Sequence, residues 1–515
     1  MKKLCTDAGK DKLNRLAAAV VIIMLLPFML YLTGSAFLET VSISTETASG
    51  ELAVISPDNI FLNAILLALM LAALYLFYKH SGGVSLRRLE LLLLLWTLAL
   101  GLAFIVSVKL CAPWFSDSYL VTYAAQRAAQ DDLSSLDSYF VRYPFQLGFV
   151  LYEEIFFRLS GLVIPGLPEG YYCLMLQGVN LLWLLLSYHG LIRISLLLFN
   201  DERLSRFTAV LLLLFQPPVF SCTFLYGNIP AFALGVCAVW MFAEFTQGGR
   251  FVCGLLSALA MAAAVMLKLN LMIFFAAVAA VWLVELFRKF RFKSLLCMAL
   301  MCVCVLSCVK APQTVYERRS GKSFGEGIPM LAWMAMGLSE GHAGPGWYKE
   351  EHTVTAFRES GFDSQATAEK AGEAIRERLS YFGREPGEAL RFFSVKLRSQ
   401  WNEPSYESLW INKVQSSYGE KQGLYGPLIG GGEKRTVGFM GQIQQLLFLG
   451  TLLSLLELWS KRDTRRCVLL VIILGGLLYH LLFEAKSQYS LGYVMLMAPM
   501  AACGLTGLFR RIETR

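Results

Sequence analysis

Charged side chains are scarce in this chain, and the few that sit beside long apolar runs are where chemistry can be placed. Asp117 follows the apolar run Leu89–Val108 after a short polar turn. It lies in the stretch from Cys111 to Gly148, the first long polar interruption between apolar runs, which closes on Tyr143-Pro144. Behind it, Leu120, Val121, Ala124, Ala125 and Ala128 recur at helical spacing, which predicts an amphipathic helix along a membrane surface with these residues toward lipid. A carboxylate at that depth is within reach of both a lipid-borne and a water-borne reactant, and a general base is the chemistry it offers. Helix capping, with Ser116 and Ser118 alongside, is the competing role. Asp131, Asp132, Asp137, Glu153 and Glu154 are further acidic candidates. Lys109, Arg142, Lys268, Lys310 and Lys486 are the cations on the same side. For Lys268 and Lys486 the competing role is snorkelling to the interface. Tyr226-Gly227-Asn228, followed by Pro230, reads as a short turn that caps a helix.

The elements that must position these residues are membrane helices. Of 515 residues, 56% are hydrophobic and 16% charged, against about 25% charged in a soluble domain. Apolar runs of about 20 residues recur along most of the length. The reading is an all-α polytopic membrane protein with about twelve transmembrane helices, among them Phe207–Leu225, Phe251–Leu267 and Cys467–Phe483. The basic N-terminus leads into Leu16–Phe37, an uncleaved signal anchor, with Gly34-Ser35-Ala36 as the alternative cleavage site. The net charge of +8 reflects biased cytoplasmic loops and does not indicate nucleic acid. The 12 cysteines sit in or beside apolar runs, without CxxC or zinc spacing, so neither a disulfide scaffold nor a metal site is indicated.

Half of the 46 basic residues fall in short alternate loops, which puts both termini in the cytoplasm. That parity holds only if residues 145–162 do not cross. They carry Glu153, Glu154 and Arg158 and read as a juxtamembrane or re-entrant helix, with Glu154 and Arg158 paired at i, i+4. The expected organisation is a transmembrane core over 1–311 with an outer catalytic loop at 109–170, an extracytoplasmic subdomain over 312–436, and C-terminal transmembrane helices over 437–515. Within the subdomain, Ser364–Leu379 reads as a polar helix. Pro386 opens another, with Leu390, Phe393, Leu397 and Trp401 along a packing face. Gly430-Gly431-Gly432 reads as a flexible joint.

Three short motifs carry a resemblance. They are Trp114-Phe115-Ser116-Asp117-Ser118-Tyr119, Tyr143-Pro144 through Gly148, and Glu484-Ala485-Lys486-Ser487-Gln488-Tyr489. With the order of spans and loops around them, the chain resembles the glycosyltransferase-C superfamily, in the branch of protein O-mannosyltransferases and lipid A aminoarabinose transferases. In that family the acidic residue of the first outer loop is catalytic or orients substrate. The resemblance implies Asp117 as catalytic residue and Tyr119, Tyr143 and Glu484 in substrate binding. Two departures stand out. The usual Asp-Glu pair is Asp117-Ser118 here, and Gln488 stands where an arginine precedes the last tyrosine.

The resemblance also implies a sugar donor linked to polyprenyl phosphate, an extracytoplasmic glycan, lipid or protein acceptor, and no cofactor. Lys268, Lys486 and Arg142 are then the cations for the donor phosphate. A bacterial plasma membrane is the expected location. The rival is a lipid-linked glycan flippase or a polymer ligase-like protein. A flippase should bury charges along many spans, and here mid-span positions are nearly free of them.

Overall fold

The computed structural model describes residues 7–44, 51–108, 116–415 and 422–514. Lys109, Trp114 and Phe115 lie outside the described residues. The chain opens with helix α1 (Asp7–Leu38), then an antiparallel hairpin of β1 (Glu39–Ser44) and β2 (Leu52–Pro57) with Val41 opposite Ile55. Helices α2 (Ile60–His80) and α3 (Leu86–Val108) follow. The segment after α3 holds α4 (Ser116–Ala129), the short α5 (Ser138–Arg142) and α6 (Leu147–Val163). The core continues with α7 (Glu169–Phe199), α8 (Glu202–Leu214), one-turn α9 (Pro217–Phe220), α10 (Asn228–Gly248), α11 (Phe251–Leu267), α12 (Met272–Arg288) and α13 (Phe292–Ser320).

The next segment folds into α14 (Met330–Gly337), a two-residue ladder of β3 (Glu340–Gly341) and β4 (Gly344–Pro345), α15 (Val354–Glu359), α16 (Ser364–Arg384), α17 (Pro386–Trp401), α18 (Ser408–Gln415) and α19 (Tyr425–Leu428). Helices α20 (Glu433–Lys461), α21 (Val468–Leu482) and α22 (Ser487–Glu513) complete the chain.

Nine helices among the described residues are long and apolar enough to cross a membrane: α1, α2, α3, α7, α10, α12, α13, α20 and α22. The fold is that of an all-α polytopic membrane protein. Three of the expected spans take another form. Helices α8 and α9 form one run bent by 49°, because Pro217 and Pro218 lack the N–H donors a continuous helix requires. Helices α11 and α21, with 17 and 15 residues, reach only about 22–26 Å at the helical rise, short of a bilayer core of about 30 Å. Helix α22 is sheathed by its neighbours, and its small residues allow close packing. A Cβ on Gly504 would lie 2.0 Å from the Gly450 carbonyl of α20.

One end of the bundle is tied by polar contacts between segments far apart in sequence. Asp11 pairs with Arg288 at 3.4 Å, Arg465 with Glu285 at 3.5 Å and Arg510 with Asp201 at 3.4 Å. Asn14 accepts from the backbone N–H of Thr464 at 3.2 Å. The start of α1 and the end of α22 therefore share an end, and helices α4–α6 occupy the other.

The segment over 312–436 packs onto that other end. Its expected start falls inside α13, which runs unbroken to Ser320. Helix α17 starts at Pro386 as expected. The face differs in one position: Leu397 and Trp401 are buried, but Leu390 is 73% exposed. Lys396 of α17 is buried, and its ammonium donates to the carbonyls of Gly337, Leu481 and Phe483. The triple-glycine stretch is a tight turn rather than an open joint, since a Cβ on Gly432 would meet the Pro427 carbonyl at 1.8 Å.

Candidate active site

Helix α4 brings its apolar face onto α6, not onto lipid. Val121, Ala124, Ala125 and Ala128 are fully buried, and the small alanines let the two helices approach closely. The residues left outward are Tyr119, Leu120 and Tyr123, with the two tyrosine rings stacked at 5.8 Å. The expected Glu154–Arg158 pair forms at 2.9 Å. Glu154 also accepts from both guanidinium nitrogens of Arg319 and from the Tyr316 hydroxyl at 2.6 Å. Arg158 reaches Asp131 as well. This cluster locks α4, α6 and α13 together.

That lock leaves the start of α4 facing a cavity of about 940 Å³, lined by residues of α4, α5, α13, α14, α18 and the turns before α10, α12 and α22. Asp117, Arg142, Tyr143, Lys268, Glu484 and Lys486 all line it. Tyr119 does not; its ring stacks on that of Tyr123. Asp117 is the second residue of α4, inside the first turn, where the helix dipole favours a carboxylate. Its side chain faces the cavity, and Oδ2 accepts from the Tyr226 hydroxyl at 3.0 Å. The Gln146 amide donates to the same hydroxyl at 2.8 Å. The Tyr139 hydroxyl is buried nearby without a hydrogen-bond partner. Burial and the charge of Asp117 hold it well above the ordinary phenol range.

Lys268 ends α11 and reaches across the mouth of the turn before α10. Its ammonium lies 3.6 Å from the centroid of the Tyr226 ring and 3.4 Å from the Tyr226 carbonyl. Burial pushes its pKa down to about 7, against the pull of Asp117 and Glu484. Burial also pushes Glu484 up to about 7, with Lys486 opposing. Lys486 is engaged elsewhere, in an ion pair at 2.7 Å with Glu51, which directly precedes β2 at the loop end of the β1–β2 hairpin. Glu51, Glu407 and Glu484 together keep its pKa above the ordinary lysine value despite burial. Glu407 accepts from the Ser487 hydroxyl and the Gln488 backbone N–H, and burial lifts it to about 8. Lys310 pairs with Glu326 at 2.9 Å. Arg142 and Lys268 are thus the cavity cations with no carboxylate partner among the described residues. The Arg142 guanidinium lies 5.8 Å from the Tyr143 ring.

Tyr143-Pro144 is held against the segment before α14 by a glycine that no other residue can replace. Gly327 has φ +74, and a Cβ there would sit 2.4 Å from Pro144 and 2.9 Å from the Arg142 carbonyl. The rest of the wall is aromatic, with Trp333, Tyr348, Trp410 and Tyr489 among the lining residues and Asn270 and Gln488 between them. Such a mixture suits a sugar, whose apolar faces stack on rings and whose hydroxyls take amide partners.

The site includes groups that reading along the chain did not single out for chemistry. Tyr226, placed there only in a cap, is the hydrogen-bond partner of Asp117. Gly227 after it is left-handed at φ +79, and that signal marked the sharp turn without saying what it presents. Glu51, Glu403 and Glu407 lie outside the motifs, and nothing local announced that they converge on Lys486 and Ser487.

No family model matches the chain, and no curated protein does. Among solved structures, the archaeal oligosaccharyltransferase AglB from Archaeoglobus fulgidus, in complex with an inhibitory peptide and a dolichol-phosphate, superposes with a TM-score of 0.40 at 12% identity. The match covers 82% of this chain and 51% of that one, so the chain spans about half that protein's length. A likeness this loose shows neither a family nor an activity.

Proposed function

We propose that this protein is a membrane glycosyltransferase that moves a sugar from a polyprenyl-phosphate carrier to an extracytoplasmic acceptor in the cell envelope, with Asp117 as general base. The observation that carries the reading is the Asp117 carboxylate, aimed into an aromatic-walled cavity at the end of the bundle that carries α4–α6, with the Lys268 ammonium on the ring of the tyrosine that binds it.

The acceptor hydroxyl gives its proton to Asp117 as its oxygen bonds to the anomeric carbon. The bond from that carbon to the phosphate oxygen breaks on the opposite face, and the lipid phosphate departs with the electron pair. Lys268 and Arg142 are the groups placed to meet that charge. Tyr143 and Glu484 line the same cavity and are candidates for the sugar, and Lys486 lines it while tied to Glu51. Tyr119 is outside the cavity lining.

The test is transfer from lipid-linked sugars by the purified protein in nanodiscs. Asp117→Asn is expected to fold and to lose about 10²–10⁴ in rate. Transfer by this variant within a few-fold of the unmodified protein would remove Asp117 from the mechanism.

A further inference from the structure

Base and cation in this cavity meet on one side chain. Tyr226 lies in the turn between α9 and α10, and its hydroxyl has two neighbours with fixed roles. The Gln146 amide donates to it at 2.8 Å, which fills one lone pair. The hydroxyl's single proton is then directed to Asp117 Oδ2 at 3.0 Å. The face of its ring carries the Lys268 ammonium at 3.6 Å. Both contacts depend on the backbone of the turn. Gly227 is left-handed, and a Cβ there would press at 3.2 Å on the Leu267 carbonyl and the Phe149 ring. The turn is therefore pinned between α6 and the end of α11, the helix that delivers Lys268.

We propose that Tyr226 is a positioning residue for the transfer reaction: its hydroxyl orients the Asp117 carboxylate while its ring seats the Lys268 ammonium, so one side chain sets the separation of base and phosphate-binding cation. The inference rests on the glycosyltransferase reading and adds a coupling between the two halves of the reaction. Loss of the hydroxyl affects the base alone. Loss of the ring affects donor binding too.

The experiment compares transfer from a polyprenyl-phosphate-linked sugar by the full-length protein, Tyr226→Phe, Tyr226→Leu, Gln146→Leu and Asp117→Asn. Loss of the hydroxyl's hydrogen bond to Asp117 in Tyr226→Phe predicts kcat about 10–100-fold lower with donor KM unchanged. Tyr226→Leu should also raise donor KM. Gln146→Leu frees the hydroxyl to rotate and should lower kcat by less, again with donor KM unchanged; it decides the matter if Tyr226→Phe does not fold. In the Asp117→Asn background, Tyr226→Phe should cost nothing more. A Tyr226→Phe protein with unmodified kcat, beside an inactive Asp117→Asn, would overturn the inference and leave the glycosyltransferase reading standing. If the unmodified protein transfers no sugar, or Asp117→Asn is active, the reading itself fails and the inference with it.

Discussion

Lys268 and Lys486 occupy the same kind of sequence setting, one cation between two apolar runs, yet they end in different electrostatic states. Lys486 is claimed by Glu51, and carboxylates crowd it. Lys268 has a ring face and a carbonyl, and burial brings it down to about 7. Its folded pKa lies below the ordinary value of 10.5, so the ammonium is present at lower pH and lost as pH rises through about 7. Donor capture that depends on it should follow: kcat/KM for the lipid donor is expected to fall above that pH. Lys268→Arg keeps its charge throughout the working range and should hold kcat/KM to higher pH. A profile unchanged by Lys268→Arg would assign the basic limb to another group. The two lysines could not be told apart along the chain because the difference is made by Glu51, 435 positions from Lys486. Asp117 was legible because its clue was local, a carboxylate in the first turn of a periodic helix. Tyr226 was legible only as a turn residue, since its hydroxyl's target is 109 positions away.

At the scale of elements, periodicity tells that a face is buried, not what buries it. The alanine face of α4 was expected against lipid and instead packs on α6. The same packing traps Glu153, fully buried, with both carboxylate oxygens and the neighbouring Thr122 hydroxyl outside hydrogen-bonding geometry. Burial raises its pKa well above the ordinary 4.5. The unfolded chain ionises this group as pH passes that ordinary value, while the folded chain keeps it neutral, so Glu153 lowers stability progressively as pH rises. Glu153→Leu should raise the thermal midpoint in detergent, by the equivalent of about 1–3 kcal/mol for an unsatisfied buried group, and the gain should be larger at pH 8 than at pH 4. A variant less stable than the unmodified protein at pH 8 would mean that the carboxyl makes a compensating contact. The β1–β2 hairpin shows the opposite limit. Val41 and Ile43 alternate with polar residues as a half-buried strand should, but the alternation is short and lies in an acidic stretch. Its docking contacts, Val41 N–H to the Asn402 carbonyl and Ala53 N–H to the Ala343 carbonyl, come from residues some 300 positions on.

The whole molecule has two unlike ends, and this was the most legible property of all because it depends on counting charges rather than on contacts. The ends of α1, α12, α20 and α22 that share ion pairs are the segments rich in lysine and arginine. The opposite end carries the cavity, the loop around α4–α6 and helices α14–α18. These last two are joined directly: the Ile328 N–H before α14 donates to the Arg142 carbonyl at 3.0 Å, and the Tyr143 ring meets that of Trp333 on α14 with centroids 6.0 Å apart. The number of crossings was harder to read, because hydropathy does not distinguish a full span from the bent α8–α9 pair or from short α11 and α21. The parity nevertheless makes a sharp statement. Ser134 and Glu377, both exposed, must lie on one side of the membrane, and exposed Lys289, beside the ion-paired end, on the other. Single cysteines at these positions in a cysteine-free protein should divide accordingly: a membrane-impermeant maleimide applied to intact cells should label Ser134→Cys and Glu377→Cys and should reach Lys289→Cys only after permeabilisation. The reverse pattern would put the cavity in the cytoplasm, where a polyprenyl-phosphate sugar facing outward could not reach Asp117. Labelling that separates Ser134 from Glu377 would break the shared end on which the cavity itself is built.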